Sequence, residues 1–319
     1  MNKYSLEELK EIYQNGNRFI KGLHADIPDQ KTEIKSLDEK IYYYRLECLG
    51  SGLLVSFIYS AYGVKGIERY LAEKDKSDNY LHNNSGIYPV TSEILERVSL
   101  IYQRTFSNCD YLGCWKKDSL PEQYLVQKFA QGKELYFGTR YNNLYLDGHF
   151  GGLYWFDRLN WYEKLHGKKI LIISSHSTAM KRQWLSNRIF RAHNKNIEYP
   201  QTNIELEFVR PPMSMCELTP HSSWIESLQK LKDDVDAVRS RFDFDLALVS
   251  CGAYGGPIGD YISTTLNKSS FYVGGALQLY FCIKGARWNS NKIYNEFWTS
   301  LEREEVPVNA HTVEGGCFF

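Results

Sequence analysis

Three short turns of this chain place glycine and hydroxyl residues where phosphate chemistry would need them. Ser174-Ser175-His176-Ser177-Thr178, Gly252-Ala253-Tyr254-Gly255-Gly256-Pro257 and Gly274-Gly275-Ala276-Leu277-Gln278 each couple an apolar run to the start of a helical pattern. Glycine lets the backbone approach a phosphate, hydroxyls can bind or cap, and a helix start offers free N–H groups at the positive end of its dipole. Ser175, His176, Ser177, Gly252, Ala253, Tyr254, Gly255, Gly274, Gly275 and Gln278 are therefore candidate contacts to a nucleotide or diphosphate. His176 is read as a phosphate contact in preference to a base, with capping as the bland alternative. None of the turns is GxGxxG or GxxxxGK[ST], so neither a dinucleotide dehydrogenase nor a P-loop ATPase is supported.

Nearer the C-terminus, Lys284-Gly285-Ala286-Arg287-Trp288 sets a guanidinium beside an indole, a pair suited to a diphosphate and to a stacked base or sugar. An exposed salt bridge would account for Arg287 equally well. In the N-terminal half Arg45 and Glu47 alternate within YYYRLEC, so both side chains fall on one face of a strand. Two ionisable groups on a half-buried strand are costly unless paired with each other or put to use. Asp243-Phe244-Asp245 has the DxD form of many metal-dependent sugar transferases. It precedes its strand, however, at the amino end of the sheet, and is read as a polar turn.

Positioning the glycine turns requires a parallel sheet, whose ligands lie beyond the carboxyl ends of the strands. Residues 168–174 and 245–251 are continuous apolar runs, as expected of central strands buried on both faces. Helices are predicted over 179–192, 222–241 and 257–266, and further strands over 204–210 and 270–273. Alternation of this kind implies right-handed crossovers. The fold class is α/β, a Rossmann-like parallel sheet in the C-terminal half with a mixed, helix-rich N-terminal region. In that region helices are predicted over 5–15, 29–36 and 52–73, from the Thr91-Ser92-Glu93 start, and from Pro121, with strands over 41–46 and 110–115. The glycine- and aromatic-rich stretch 136–161 shows no clean period, and the junction between residues 1–150 and 151–319 is placed there.

Lysine plus arginine (38) balances aspartate plus glutamate (38), so no basic field recruits nucleic acid. The longest apolar stretch, 53–64, is short of the roughly 20 residues that cross a bilayer. No apolar signal core stands at the start, and the expected location is the cytoplasm. The 7 cysteines form no CxxC pair, which argues against a zinc site and a disulfide framework. An aromatic content of 15% suits sugar- or base-stacking walls, although ordinary cores use the same residues.

The runs DFDLALVSCGAYGGPIGDYI, FYVGGALQLYFCIKGARW, YNEFW, VEGGCFF and GKKILIISSHSTAMKRQW resemble a family of bacterial proteins from capsule and O-antigen gene clusters, similar to glycosyltransferases of the GT-D fold. The resemblance covers roughly residues 155–319 and is thinner over 40–130. It implies transfer of a sugar from a nucleoside-diphosphate donor, most simply a UDP-sugar, to a hydroxyl of a glycan or lipid-linked glycan, at most with peripheral membrane contact. It also implies a divalent metal, Mn2+ or Mg2+, on an acidic motif. Here the Arg-x-Gly-Asp-x-Glu form is absent and Arg45-Leu46-Glu47 is the nearest match, so the metal ligands stay unassigned. Such a transfer needs a cradle for the departing diphosphate, for which the glycine turns and Arg287 are suited, and a carboxylate to orient or deprotonate the acceptor. Glu47, with Arg45 beside it, is assigned that role, with Asp260 and Glu314 as reserves.

Two other functions fit a glycine turn after a strand. A methyltransferase using S-adenosylmethionine would end its next strand in an acidic residue, whereas 204–210 ends in arginine before Pro211-Pro212. A non-catalytic glycan- or nucleotide-binding subunit is the third reading, favoured if Glu47 stands away from the cleft.

Overall fold

A computed structural model of the chain describes residues 4–16, 39–45, 52–73, 80–114, 120–129, 134–137, 165–193, 203–286, 289, 294–317 and 319. Seven parallel strands form one sheet: β1 (Tyr42–Arg45), β2 (Tyr111–Cys114), β3 (Glu134–Phe137), β4 (Lys169–Ser174), β5 (Glu205–Val209), β6 (Leu246–Ser250) and β7 (Ser269–Tyr272). Their spatial order is β3-β2-β1-β7-β6-β4-β5. The parallel sheet expected of the C-terminal half is present. Three strands of the N-terminal half extend it through the pairing of β1 with β7, Tyr44 opposite Tyr272. The division near residue 150 therefore separates segments of sequence without dividing the sheet.

The helices are α1 (Leu6–Gln14), α2 (Gly52–Glu73), α3 (Tyr80–Asn83), α4 (Ser92–Asn108), α5 (Leu120–Phe129), α6 (Ser177–Leu185), α7 (Arg188–His193), α8 (Trp224–Arg239), α9 (Gly255–Thr264) and α10 (Ala276–Tyr280). Local chemistry sets several of their starts. Ser5 and Glu8 form a reciprocal capping box on α1, Thr91 accepts from the Ile94 N–H of α4, and Ser223 accepts from the Glu226 N–H of α8. The helix predicted over 179–192 is two helices, α6 and α7. They are separated at Asn187, whose φ of 55° is left-handed and cannot continue a helix. The helix predicted over 29–36 and nearly all of the stretch 136–161 lie outside the described residues.

Crossover direction decides which face each helix covers. The connections β1 to β2, β2 to β3, β5 to β6 and β6 to β7 all step one way along the sheet, and β4 to β5 steps the other. With one hand of crossover throughout, the helices of the first group fall on one face and those after β4 on the opposite face. The two cores agree. Tyr42, Tyr44, Leu171, Ile173, Ala247 and Val249 pack with side chains of α2, α4, α5, α8 and α9. Tyr43, Ile170, Ile172, Leu246 and Leu248 pack with α6, α7 and α10. Alternate residues of one strand thus enter different cores, and β4, buried on both faces after Lys169, reads as an unbroken apolar run for that reason.

No described helix is long and apolar enough to cross a membrane.

Candidate functional site

β4 and β6 are neighbours, with Ser174 opposite Ser250 at their carboxyl ends. The chain leaves β4 toward α6 on one face of the sheet and leaves β6 toward α9 on the other. Two adjacent strands whose connections part in this way open a crevice, the topological switch point at which open α/β sheets take their ligands. The first two glycine- and hydroxyl-bearing turns picked from the sequence meet there.

His176 is the N-cap residue of α6, and its side chain makes no capping bond. Its N–H donates to Ser174 Oγ at 3.2 Å and its carbonyl accepts from the Met180 N–H at 2.9 Å. The ring is 8% exposed, yet Nε2 has no hydrogen-bond partner among the described residues. Burial pushes the imidazole down to about 4, helped by the nearby Arg210 guanidinium and only partly offset by Glu305, so at neutral pH the ring is uncharged. An orphaned buried polar atom of this kind costs on the order of 1–3 kcal/mol. A ligand oxygen would relieve it.

Arg210 was not among the candidates from sequence. It follows β5, at the same end of the sheet, is exposed, and forms no ion pair with another described residue. Its proximity to His176 and Glu305 is registered in the effect of its charge on both. Its signal in the sequence is its place at the end of a strand, where a methyltransferase would carry an acidic ribose ligand.

The turn after β6 divides in two. Gly252 has φ +55°, and a Cβ there would meet nothing closer than Met215 Sδ at 3.8 Å, so glycine serves the backbone conformation and leaves the backbone open. Ala253, Tyr254 and Gly255, expected to line the ligand site, are buried structural residues instead. The Ala253 carbonyl accepts from Tyr102 Oη at 2.8 Å; Tyr254 bonds Ser214 at 2.7 Å and stacks on Trp224 with centroids 5.3 Å apart. A Cβ on Gly255 would overlap the Tyr272 ring; one on Gly256 would stand 2.6 Å from Tyr44 and one on Gly259 2.9 Å from Tyr42. The missing side chains let α9 lie directly on the tyrosines of β1 and β7.

The third turn does not build a phosphate cradle. Gly274 has φ +60°, but α10 behind it spans only Ala276–Tyr280, and the Leu277 and Gln278 N–H groups are already bonded to the Gly274 and Gly275 carbonyls. Gln278 is buried and gives Nε2 to the Lys284 carbonyl at 3.1 Å. The Lys284 ammonium lies 5.9 Å from the centre of the Tyr294 ring.

The remaining candidates are dispersed. Ser175 is half-buried and Ser177 buried, both at the crevice. Arg45 ends β1, in register with Gly113 of β2. Glu47, Arg287 and Trp288 lie outside the described residues. Asp260 belongs to the contact between α9 and α4, where Asn108 donates to it at 2.7 Å and Arg104 pairs with it at 2.9 Å. Burial holds its carboxyl above the ordinary range in spite of these partners. Glu314 is exposed on the C-terminal segment and accepts from the Cys317 thiol. The DxD-like pair is a polar turn, as expected: Asp243 pairs with Lys268 at 2.8 Å and Asp245 accepts the Lys169 N–H at 2.8 Å, at the amino end of the sheet.

Among the described residues no group of three His, Cys, Asp or Glu side chains is placed to hold a metal ion. Those residues do not supply a ligand set for Mn2+ or Mg2+.

No protein-family model, curated protein or solved structure matches the chain.

Proposed function

We propose that the chain is a glycosyltransferase that takes a sugar from a nucleoside-diphosphate donor, a UDP-sugar in the first instance, and passes it to a hydroxyl of a surface glycan. The observation that carries this reading is the unpartnered Nε2 of buried His176, at the start of α6 in the crevice between β4 and β6. A departing diphosphate needs hydrogen-bond donors and positive potential around its oxygens. The uncapped start of α6, the open backbone at Gly252 and the Arg210 guanidinium supply both. His176 is uncharged there, so its contribution is a hydrogen bond and not an ion pair.

Acceptor activation is assigned to Glu47, two residues beyond the end of β1. Only β7 separates β1 from β6, which puts the two strand ends about 10 Å apart. The resemblance of residues 155–319 to polysaccharide-cluster transferases supports the same reaction class.

Thermal unfolding in the presence of UDP, GDP, CMP, nucleotide sugars and S-adenosylmethionine, each with and without Mn2+, tests the proposal. A rise with a nucleoside diphosphate, lost in His176→Ala, is the expected outcome. Stabilisation by S-adenosylmethionine alone would sink it. Nucleotide binding without release of UDP from any UDP-sugar and acceptor would reduce the chain to a binding subunit.

A further inference from the structure

The C-terminal segment of the chain reaches the crevice at His176. Residues 294–317 pass beside α6; Asn295, Phe297 and Thr299 bond to Ala192, Gln183 and the Cys282–Lys284 backbone, and two further sets of contacts hold the stretch beyond them. Arg182 of α6 makes a bidentate pair with Glu305, at 3.2 and 2.6 Å, and a second contact with Glu302 at 3.4 Å. Further along, Asn83 of α3 donates to the Thr312 carbonyl at 3.0 Å while the Thr312 hydroxyl donates back to Asn83 Oδ1 at 2.9 Å. Val313, fully buried, completes that second anchor.

Past the anchors the backbone reverses. Glu314, Gly315 and Gly316 have φ of 47°, 67° and 77°, three left-handed residues in succession, and the Phe319 N–H returns to the Gly316 carbonyl at 3.0 Å. This turn sets the Phe319 ring edge-on to His176, with centroids 5.9 Å apart and planes at 87°. The ring therefore stands against the His176 imidazole, whose buried Nε2 has no hydrogen-bond partner among the described residues.

From these contacts we infer that Glu314–Gly316 is a hinge and Phe319 a cover over the His176 crevice, regulating access to the phosphate subsite while the anchors at Glu305 and Thr312 stay in place. The inference rests on the reading of that crevice as the donor site. Glycines at 315 and 316 give the hinge its freedom, since a Cβ at Gly315 would meet nothing within 4 Å and only the backbone conformation demands glycine there.

The cover is tested on the full chain by the rate at which diethyl pyrocarbonate modifies His176, followed by peptide mass spectrometry, with exposed His166 as internal reference. Phe319→Ala is expected to raise the His176 rate several-fold and leave His166 unchanged. Asn83→Ala, which removes both bonds to Thr312, should move it in the same direction. Equal rates in the parent chain and in both variants would overturn the cover. UDP added to the same reactions reads the donor site separately: protection of His176 supports the phosphate reading. A raised rate in Phe319→Ala without protection by UDP in any chain keeps the cover and discards the ligand. Protection in the parent chain that Phe319→Ala abolishes would make Phe319 a ligand contact and overturn its role as a cover.

Discussion

The ring of Tyr272 fills the space in which a Cβ on Gly255 would have to stand. Gly255 has ordinary helical dihedrals, φ −61° and ψ −51°, so any replacement meets a steric obstacle and no backbone strain. Gly255→Ala must push α9 off β7 and is expected to lower stability by about 2–3 kcal/mol. Gly252 presents the opposite case, open space around a left-handed backbone. Asparagine adopts that conformation at little cost, so Gly252→Asn should lose only a few tenths of a kcal/mol while Gly255→Asn loses more than Gly255→Ala. Urea unfolding of the four proteins checks the order; a Gly252→Asn loss as large as that of Gly255→Ala would remove the distinction between the two halves of the turn.

That distinction marks where the sequence stops being legible. Glycine looks the same whether it approaches a phosphate or a tyrosine ring. The ring that decides it at Gly255 belongs to Tyr272, on the following strand, and those at Gly256 and Gly259 belong to Tyr44 and Tyr42, more than two hundred residues earlier in the chain. β4 and β6 could be read directly because burial on both faces leaves a continuous apolar run. The strands β1 to β3 span four residues each, too few for a period to show, and their membership of the same sheet had no local signal. The break between α6 and α7 falls at Asn187, with neither glycine nor proline to announce it. His176 could be seen as a candidate from its place after a strand. That Arg210 stands beside it follows only from the packing of β5 against β4, Val209 opposite Ile173.

The depressed His176 group makes stability depend on pH. Its folded value is about 4, against an ordinary 6.5 in the unfolded chain, so between those limits the unfolded state binds the extra proton. Stability is fully present above pH ~6.5 and falls as the pH drops toward ~4, by up to about 3 kcal/mol. Urea midpoints at pH 7, 6 and 5 should decline in the parent chain, and the His176→Gln protein should decline less over the same range. Parallel curves for the two proteins would mean that His176 is not held neutral by burial.

The Arg182–Glu305 pair acts in a lower window. Burial alone would raise the Glu305 carboxyl, but the Arg182 hydrogen bonds, the Glu302 N–H and the Arg182 charge together hold it below its ordinary value of 4.5. Its stabilisation is therefore present above pH ~4.5 and lost as the pH falls through the depressed folded value. Glu305 is 7% exposed while Arg182 is 37% exposed, so solvent screens one partner only. Removing the cation strands a buried carboxylate, and Arg182→Ala is expected to cost about 2–3 kcal/mol. Glu305→Gln, which keeps a hydrogen-bonding group, should cost less. Thermal unfolding at pH 7 checks the order, and equal losses would show that the charge at Glu305 plays no part.

Arg210 offers the sharpest separation of binding from folding. It is exposed and makes no ion pair with a described residue, so Arg210→Gln should leave the urea midpoint within error. The same change removes a guanidinium whose charge acts on His176. A charge-assisted contact to phosphate is worth about 1.4 kcal/mol, so UDP affinity measured by calorimetry should fall about tenfold. Screening gives a second signature, because raising salt from 50 to 300 mM should weaken UDP binding to the parent chain more than to Arg210→Gln. Asp260→Asn serves as the contrast: buried between α9 and α4, it should lower stability and leave UDP affinity unchanged. An Arg210→Gln protein that binds UDP as tightly as its parent would move the diphosphate away from the β5 side of the crevice, and loss of affinity in Asp260→Asn with stability intact would return that carboxylate to the site.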